Sequence, residues 1–279
     1  TSDVGRYYDR NTRRFLALGH GGSELAIRRA VWGPGVETRS EAIQYVNKLL
    51  LDELRSLGAA EAVDLGCGVG GSISYLAARH PAHYVGATIS ATQARMGGEL
   101  LSRAGVTNAE IVEADFTSES FISQRSAPAD IAFAIESFLH VPAIDAKLAS
   151  VAQIVRPGGL LIVCDDMLSR GGEEAAGGKR AQRWLSEFRA GWHAHGLGSI
   201  REMTEAADAA DLELVEMRDL TPYLELDRSR DLLARAFMAL VRRSPFRPAW
   251  FSNLLGGNAL QLCLKNGIVR YIYAVFRRR

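Results

Sequence analysis

Apolar residues recur along this chain at two spacings. Over residues 38–57 they return every three or four positions, with Ile43, Val46, Leu50 and Leu54 on one side, and this spacing predicts an amphipathic helix. From residue 61 the rhythm changes to short apolar runs at 61–65, 82–88, 109–116, 130–137 and 160–166. Runs of this length alternating with helical stretches predict the strands of a parallel sheet in an α/β fold. A helical insertion is expected around 179–196 and a helix near 200–210, followed by a strand at 212–217. A helical stretch over 222–266 precedes a last strand at 269–276. Gly256 and Gly257 read as residues that shape the loop opening its final helix.

The most informative stretch is Asp64-x-Gly66-Cys67-Gly68-x-Gly70-Gly71, which follows the first predicted strand. Glycines there let the backbone pass close to a ligand, and a strand, Gly-rich turn and helix start form the nucleotide site of a doubly wound sheet. The spacing departs from the dinucleotide fingerprint Gly-x-Gly-x-x-Gly. It resembles motif I of the class I S-adenosylmethionine (SAM) dependent methyltransferases. That resemblance implies a Rossmann-like sheet of seven strands, the last antiparallel. It also implies that Asp64 lies near the SAM amino group and that Gly66, Cys67 and Gly68 approach its methionyl part.

Further matches follow in order. Thr88-Ile89-Ser90 with Gln93 resembles the Thr-(Leu/Ile)-Ser-x-x-Gln form of cyclopropane fatty acid synthases, sterol C-methyltransferases and geranyl diphosphate C-methyltransferase. There it implies a hold on the ribose end of SAM. Ser90 also reads as a helix N-cap, and the two roles are compatible. Asp115 and Phe116 match the acidic residue and ring neighbour that face adenine in the family. Arg156-Pro157-Gly158-Gly159 matches the family's turn before strand five.

The acceptor side is read from three segments. Tyr7 and Tyr8 resemble the tyrosine-bearing lid of small-molecule methyltransferases, and they also suit a surface helix. Glu136 ends the fourth strand at the edge where open α/β sheets bind ligands. Geranyl diphosphate C-methyltransferase carries a Glu-Ser pair in that place. A carboxylate there can stabilise the cation left by methylating an alkene and can take its proton, or it can serve only to bind the SAM backbone or a helix end. His140 offers a base for an oxygen or nitrogen acceptor, because a histidine pKa lies near neutrality. Trp184, Phe188 and Trp192 are four apart, so they share one helix face. That face reads as a wall around a hydrocarbon or as helix core. Arg189 and His193 read as a phosphate clamp or as a solvated basic side.

Composition narrows the partners. Of 279 residues, 47% are hydrophobic and 23% charged, which supports a sizeable core, and the formal net charge of +1 gives no reason to expect nucleic acid. No apolar run is long enough to span a membrane, so no membrane partner is expected. Cys67, Cys164 and Cys263 lack zinc spacing and an even count, which fits a cytoplasmic protein. The expected organisation is a helical arm over 1–57 and a SAM-binding domain over 58–279, with an acceptor-site insertion at about 171–200. The expected activity is methyl transfer from SAM to a small natural product, foremost C-methylation of an isoprenoid alkene, alternatively O- or N-methylation. A SAM-binding scaffold without activity is a third reading. No metal-ligand motif is present, and Mg²⁺ enters only if the acceptor is a diphosphate. An arm of this kind can exchange between subunits, so a homodimer or higher homo-oligomer is expected.

Overall fold

The computed structural model describes residues 29–125, 127–169, 177–226 and 249–279. Tyr7 and Tyr8 therefore lie outside the described residues, as do 171–176 of the insertion and 227–248 of the expected helical stretch.

Helix α1 (Arg39–Leu57) begins at Thr38. The Thr38 hydroxyl accepts from the Glu41 amide and the Glu41 carboxylate accepts from the Thr38 amide, so two otherwise unpaired backbone donors are satisfied at once. Ile43, Val46, Leu50 and Leu54 are all buried, as their spacing predicts. The chain then alternates β1 (Glu61–Leu65), α2 (Gly71–Ala77), β2 (His83–Thr88), α3 (Ala91–Arg103), β3 (Ala109–Glu113), α4 (Glu119–Ser123), β4 (Ala129–Ile135), α5 (Ile144–Ala152) and β5 (Val155–Leu168). It continues through α6 (Lys179–Trp192), α7 (Ile200–Ala209), β6 (Leu212–Asp219), α8 (Ala249–Lys265) and β7 (Val269–Arg278).

The seven strands form one sheet in the order β3-β2-β1-β4-β5-β7-β6. Strands β1 to β5 pair in parallel, and β7 inserts antiparallel between β5 and β6. Apolar clusters cover both faces of the sheet, one under α1 and α8 and the other under α5 and α7. Burial on both faces explains why the inner strands read as unbroken apolar runs.

This order positions a site. The carboxyl ends of β1, β4 and β5 are neighbours, so the Gly66–Gly70 turn, Glu136 and Asp166 meet at one edge. Because β7 runs the other way, its beginning arrives at that same edge, with Tyr271 paired in register to Asp166.

Two expectations change. Arg156-Pro157-Gly158-Gly159 is not a turn ahead of strand five but part of β5, where Gly158 takes a φ of 75° and the pairing with β4 shifts register. Gly256 and Gly257 do not open a helix, because they lie inside α8. A Cβ at Gly256 would stand 2.6 Å from Trp192 Cδ1 and 2.9 Å from Gly191 Cα, so the missing side chain lets α8 lie against α6.

Candidate active site

The loop after β1 is shaped by its glycines. Gly66 and Gly68 have φ of 105° and 56°, a region that side chains resist. A Cβ at Gly66 would fall 2.4 Å from Ser137 Cβ, so glycine lets the end of β4 close on the loop. At Gly68 the same atom would meet nothing within 4 Å, leaving open space against the backbone. Asp64 is buried just before the loop. Burial of Cys67 raises its thiol pKa, and the charge of Asp64 adds to that rise.

The next strand end is held by side chains. The Ser90 hydroxyl caps α3 by accepting from the Gln93 amide at 3.1 Å. The Thr88 hydroxyl donates to Gln93 Oε1 at 2.7 Å and accepts from the Ser90 amide at 3.4 Å. Thr88, Ser90 and Gln93 are buried and Ile89 is half-buried. Asp115 is exposed, and its Oδ1 accepts from the amide and hydroxyl of Thr117 at 2.9 and 2.7 Å. Phe116 is buried and stacks on Phe138 at 5.7 Å, tying the end of β3 to the segment after β4.

Glu136 stands at the centre of the edge. Its φ of 52° is uncommon for a residue with a side chain, and such conformations gather at functional sites. The Glu136 amide donates to the Cys164 carbonyl at 2.9 Å, which fixes the backbone to β5. Glu136 Oε1 accepts from the Tyr271 hydroxyl at 2.9 Å and from the Arg29 amide at 3.3 Å. Among the described residues nothing donates to Oε2. The described residues therefore anchor the carboxylate at Oε1 alone.

Arg29, Tyr271, Asp166 and Asp165 escaped the sequence reading. Arg29 donates from both terminal nitrogens to the two oxygens of Asp166, with Nη1 at 2.6 Å, and its guanidinium lies 4.8 Å from the Tyr271 ring centroid. Burial alone would lower the Arg29 pKa. The Asp166 charge and hydrogen bonds, helped by Glu136, outweigh burial and hold it well above the ordinary arginine value. Tyr271 is pushed up by burial first, then by Cys164 and Glu136. Asp165 accepts from the amides of Leu139 (3.0 Å) and Asp166 (2.8 Å), yet burial and the Asp166 charge raise its carboxyl well above the usual range. The one available signal was Asp165-Asp166, two carboxylates ending an apolar strand.

His140 sits in a single turn of 3₁₀ helix after Glu136, and its Nδ1 bonds the His193 carbonyl at 3.4 Å. Burial pulls its pKa from 6.5 down to about 4, the nearby histidines contributing less. The aromatic face of α6 turns to helix packing. Phe188 is fully buried, Trp192 lies against Gly256 and Gly257, and Trp184 is half-buried under Arg180. Arg189 and His193 are half-buried at the end of α6. A cleft of about 210 Å³ opens beyond the end of β5. Phe138, Leu139, Met167 and Met203 give it apolar walls, and Asp165, Asp166 and Glu202 give it polar ones. None of Trp184, Phe188, Trp192, Arg189 or His193 lines it.

Residues 63–163 match a protein family described as methyltransferase domain. An O-methyltransferase of Pyrenophora dematioidea is 29% identical over 173 residues, which is 61% of this chain and 62% of that protein. The curated relatives also include a sterol 4-C-methyltransferase of Caenorhabditis elegans. The matches to these two span only 62% and 52% of the relatives' own lengths. Among solved structures, the [4+2]-cyclase SpnF is 20% identical with a TM-score of 0.73, covering 99% of this chain and 94% of that one. A geranyl diphosphate C-methyltransferase from Streptomyces coelicolor A3(2) is 16% identical with a TM-score of 0.67, covering 99% and 97%. At these identities the likeness establishes the fold, the seven-stranded mixed sheet of the class I methyltransferases.

Proposed function

We propose that this chain, whose residues 63–163 are a methyltransferase domain, transfers the methyl group of SAM to a small molecule, and that the acceptor atom is an alkene carbon of an isoprenoid. The observation that carries this reading is the one-sided anchoring of Glu136. Tyr271 and Arg29 hold Oε1, and no described residue donates to Oε2.

The residues present fit SAM. Open space at Gly68, left-handed turns at Gly66 and Gly68 and the buried Asp64 offer a close backbone approach beside a carboxylate. Thr88, Ser90, Gln93, Asp115 and Phe116 would line the remainder of that cradle. When bound, SAM supplies an electrophilic methyl on a cationic sulfonium. Addition of that methyl to an alkene leaves a carbocation on the neighbouring carbon. The Glu136 carboxylate is placed to stabilise that cation and to accept, at Oε2, the proton whose loss restores the double bond. The cleft walled by Phe138, Leu139, Met167 and Met203 reaches Asp166, the partner of Arg29, but Glu136 does not line it, so the hydrocarbon is not assigned to it.

O- or N-methylation with His140 as base is less well supported. A base whose pKa is pulled to about 4 takes a proton weakly at neutral pH. Among the described residues no group of three or more His, Cys, Asp or Glu could hold a metal such as magnesium. No step is assigned to it.

The test is product mass spectrometry after incubation with methyl-labelled SAM and a panel of prenyl diphosphates, phenols and indoles. Label on carbon of a prenyl compound is expected, with Glu136→Gln slowing it about a hundredfold or more while SAM still binds. Transfer only to hydroxyl or amine acceptors, or full activity in Glu136→Gln, would sink the C-methylation reading.

A further inference from the structure

We propose that Asp166 is a positioning residue that takes the Arg29 guanidinium in place of Glu136, and so leaves Glu136 with no cationic side chain paired to it among the described residues. The inference rests on the reading of Glu136 given above.

Arg29 is already attached to Glu136 through its backbone amide, at 3.3 Å from Oε1. Its guanidinium is on a flexible stem from that same point, so Glu136 is within its reach. A carboxylate is the natural partner of such a fork. The fork instead takes Asp166 with two parallel bonds, and it lies over the Tyr271 ring, which in turn donates to Glu136. The Asp166 side chain is fully buried in this pair and that of Arg29 is 17% exposed. Asp166 is set there by strand register, directly across from Tyr271. Arg29 and Asp166 cancel. Glu136, beside Ser137 and hence beside the Gly66 turn, has no cationic side chain paired with it among the described residues.

A carboxylate without a paired cationic side chain favours a cation beside it. The methyl donor is a sulfonium cation and its demethylated product, S-adenosylhomocysteine (SAH), is a neutral thioether at the same atom. The arrangement therefore discriminates donor from product: it favours SAM over SAH and eases release after transfer. With Asp166 gone, Arg29 would turn to Glu136 and erase that preference.

The ratio of SAM to SAH affinity reads this directly, needs no acceptor, and is indifferent to damage that weakens both ligands alike. It would be measured by calorimetry on the wild type, Asp166→Asn, Arg29→Met and the double variant. Asp166→Asn should lower the ratio about tenfold, a single unscreened charge a few ångströms away being of that order. Arg29→Met should raise it. The double variant removes both charges, avoids stranding a buried one, and should return the ratio to within about twofold of wild type. Ratios that stay together in all four proteins, or a double variant displaced as far as Asp166→Asn, would overturn the inference while SAM binding leaves the methyltransferase reading standing. A wild type that binds neither nucleoside would overturn that reading and this inference with it.

Discussion

At the scale of single residues, backbone geometry and not side-chain freedom aims the central carboxylate. Glu136 turns into the left-handed region as β4 ends, a conformation that costs a non-glycine residue of the order of 1 kcal/mol or more. The bonds from Tyr271 and Arg29 hold it there. His140, four positions on, is held in a different state. Its folded pKa of about 4 lies below its ordinary 6.5, so the unfolded chain binds the extra proton more readily. The sign follows: the stability is present above pH 6.5 and is lost as pH falls toward 4. The loss through this one group is at most about 3 kcal/mol. Thermal unfolding of wild type and His140→Gln across that window should show a steeper acid decline in the wild type, and parallel curves would refute the assignment. Glu136 was legible because its position, at the end of a parallel strand, is itself a signal. Its partners were not. Arg29 lies 107 positions before it and Tyr271 135 after, and no local pattern links residues so far apart.

At the scale of elements, periodicity located helices and strands but could not name their neighbours. The four-residue spacing of Trp184, Phe188 and Trp192 correctly marks one face of α6. Whether that face meets a ligand or another helix depends on α8, whose own signal was clouded by two interior glycines. A glycine pair inside a helix reads as a loop because glycine weakens helices, and here the closeness of Gly191 and Trp192 outweighs that propensity. Gly256→Ala should therefore destabilise despite its better helix propensity, by about 1–3 kcal/mol, since its Cβ meets Trp192 and the Gly191 backbone. A chemical denaturation midpoint that rises would show that the helices have room to part. The Arg-Pro-Gly-Gly segment misled for a related reason. Its residues favour a turn, but the pairing of β5 with β4 absorbs them as an irregularity within the strand.

At the scale of the whole molecule, the seven-stranded α/β architecture with its antiparallel last strand was legible through the resemblance of its motifs, whereas the order of the strands was not read from the chain. No helix among the described residues is long and apolar enough to cross a membrane. A ligand that binds the folded chain alone stabilises it by mass action. SAM at about a hundred times its dissociation constant should add about 2.7 kcal/mol and raise the melting temperature by roughly 5–10 °C. An unmoved melting curve at millimolar SAM would count against the cradle at Gly68. The antiparallel entry of β7 has a consequence for how the protein is made. A nascent chain can emerge, pair β1 through β5 and form its glycine turn long before residue 271 leaves the ribosome. Until then Glu136 has no hydroxyl to steady it and Asp166 no strand beside it. The contact between Tyr271 and Glu136 thus forms only after all five parallel strands have been synthesised.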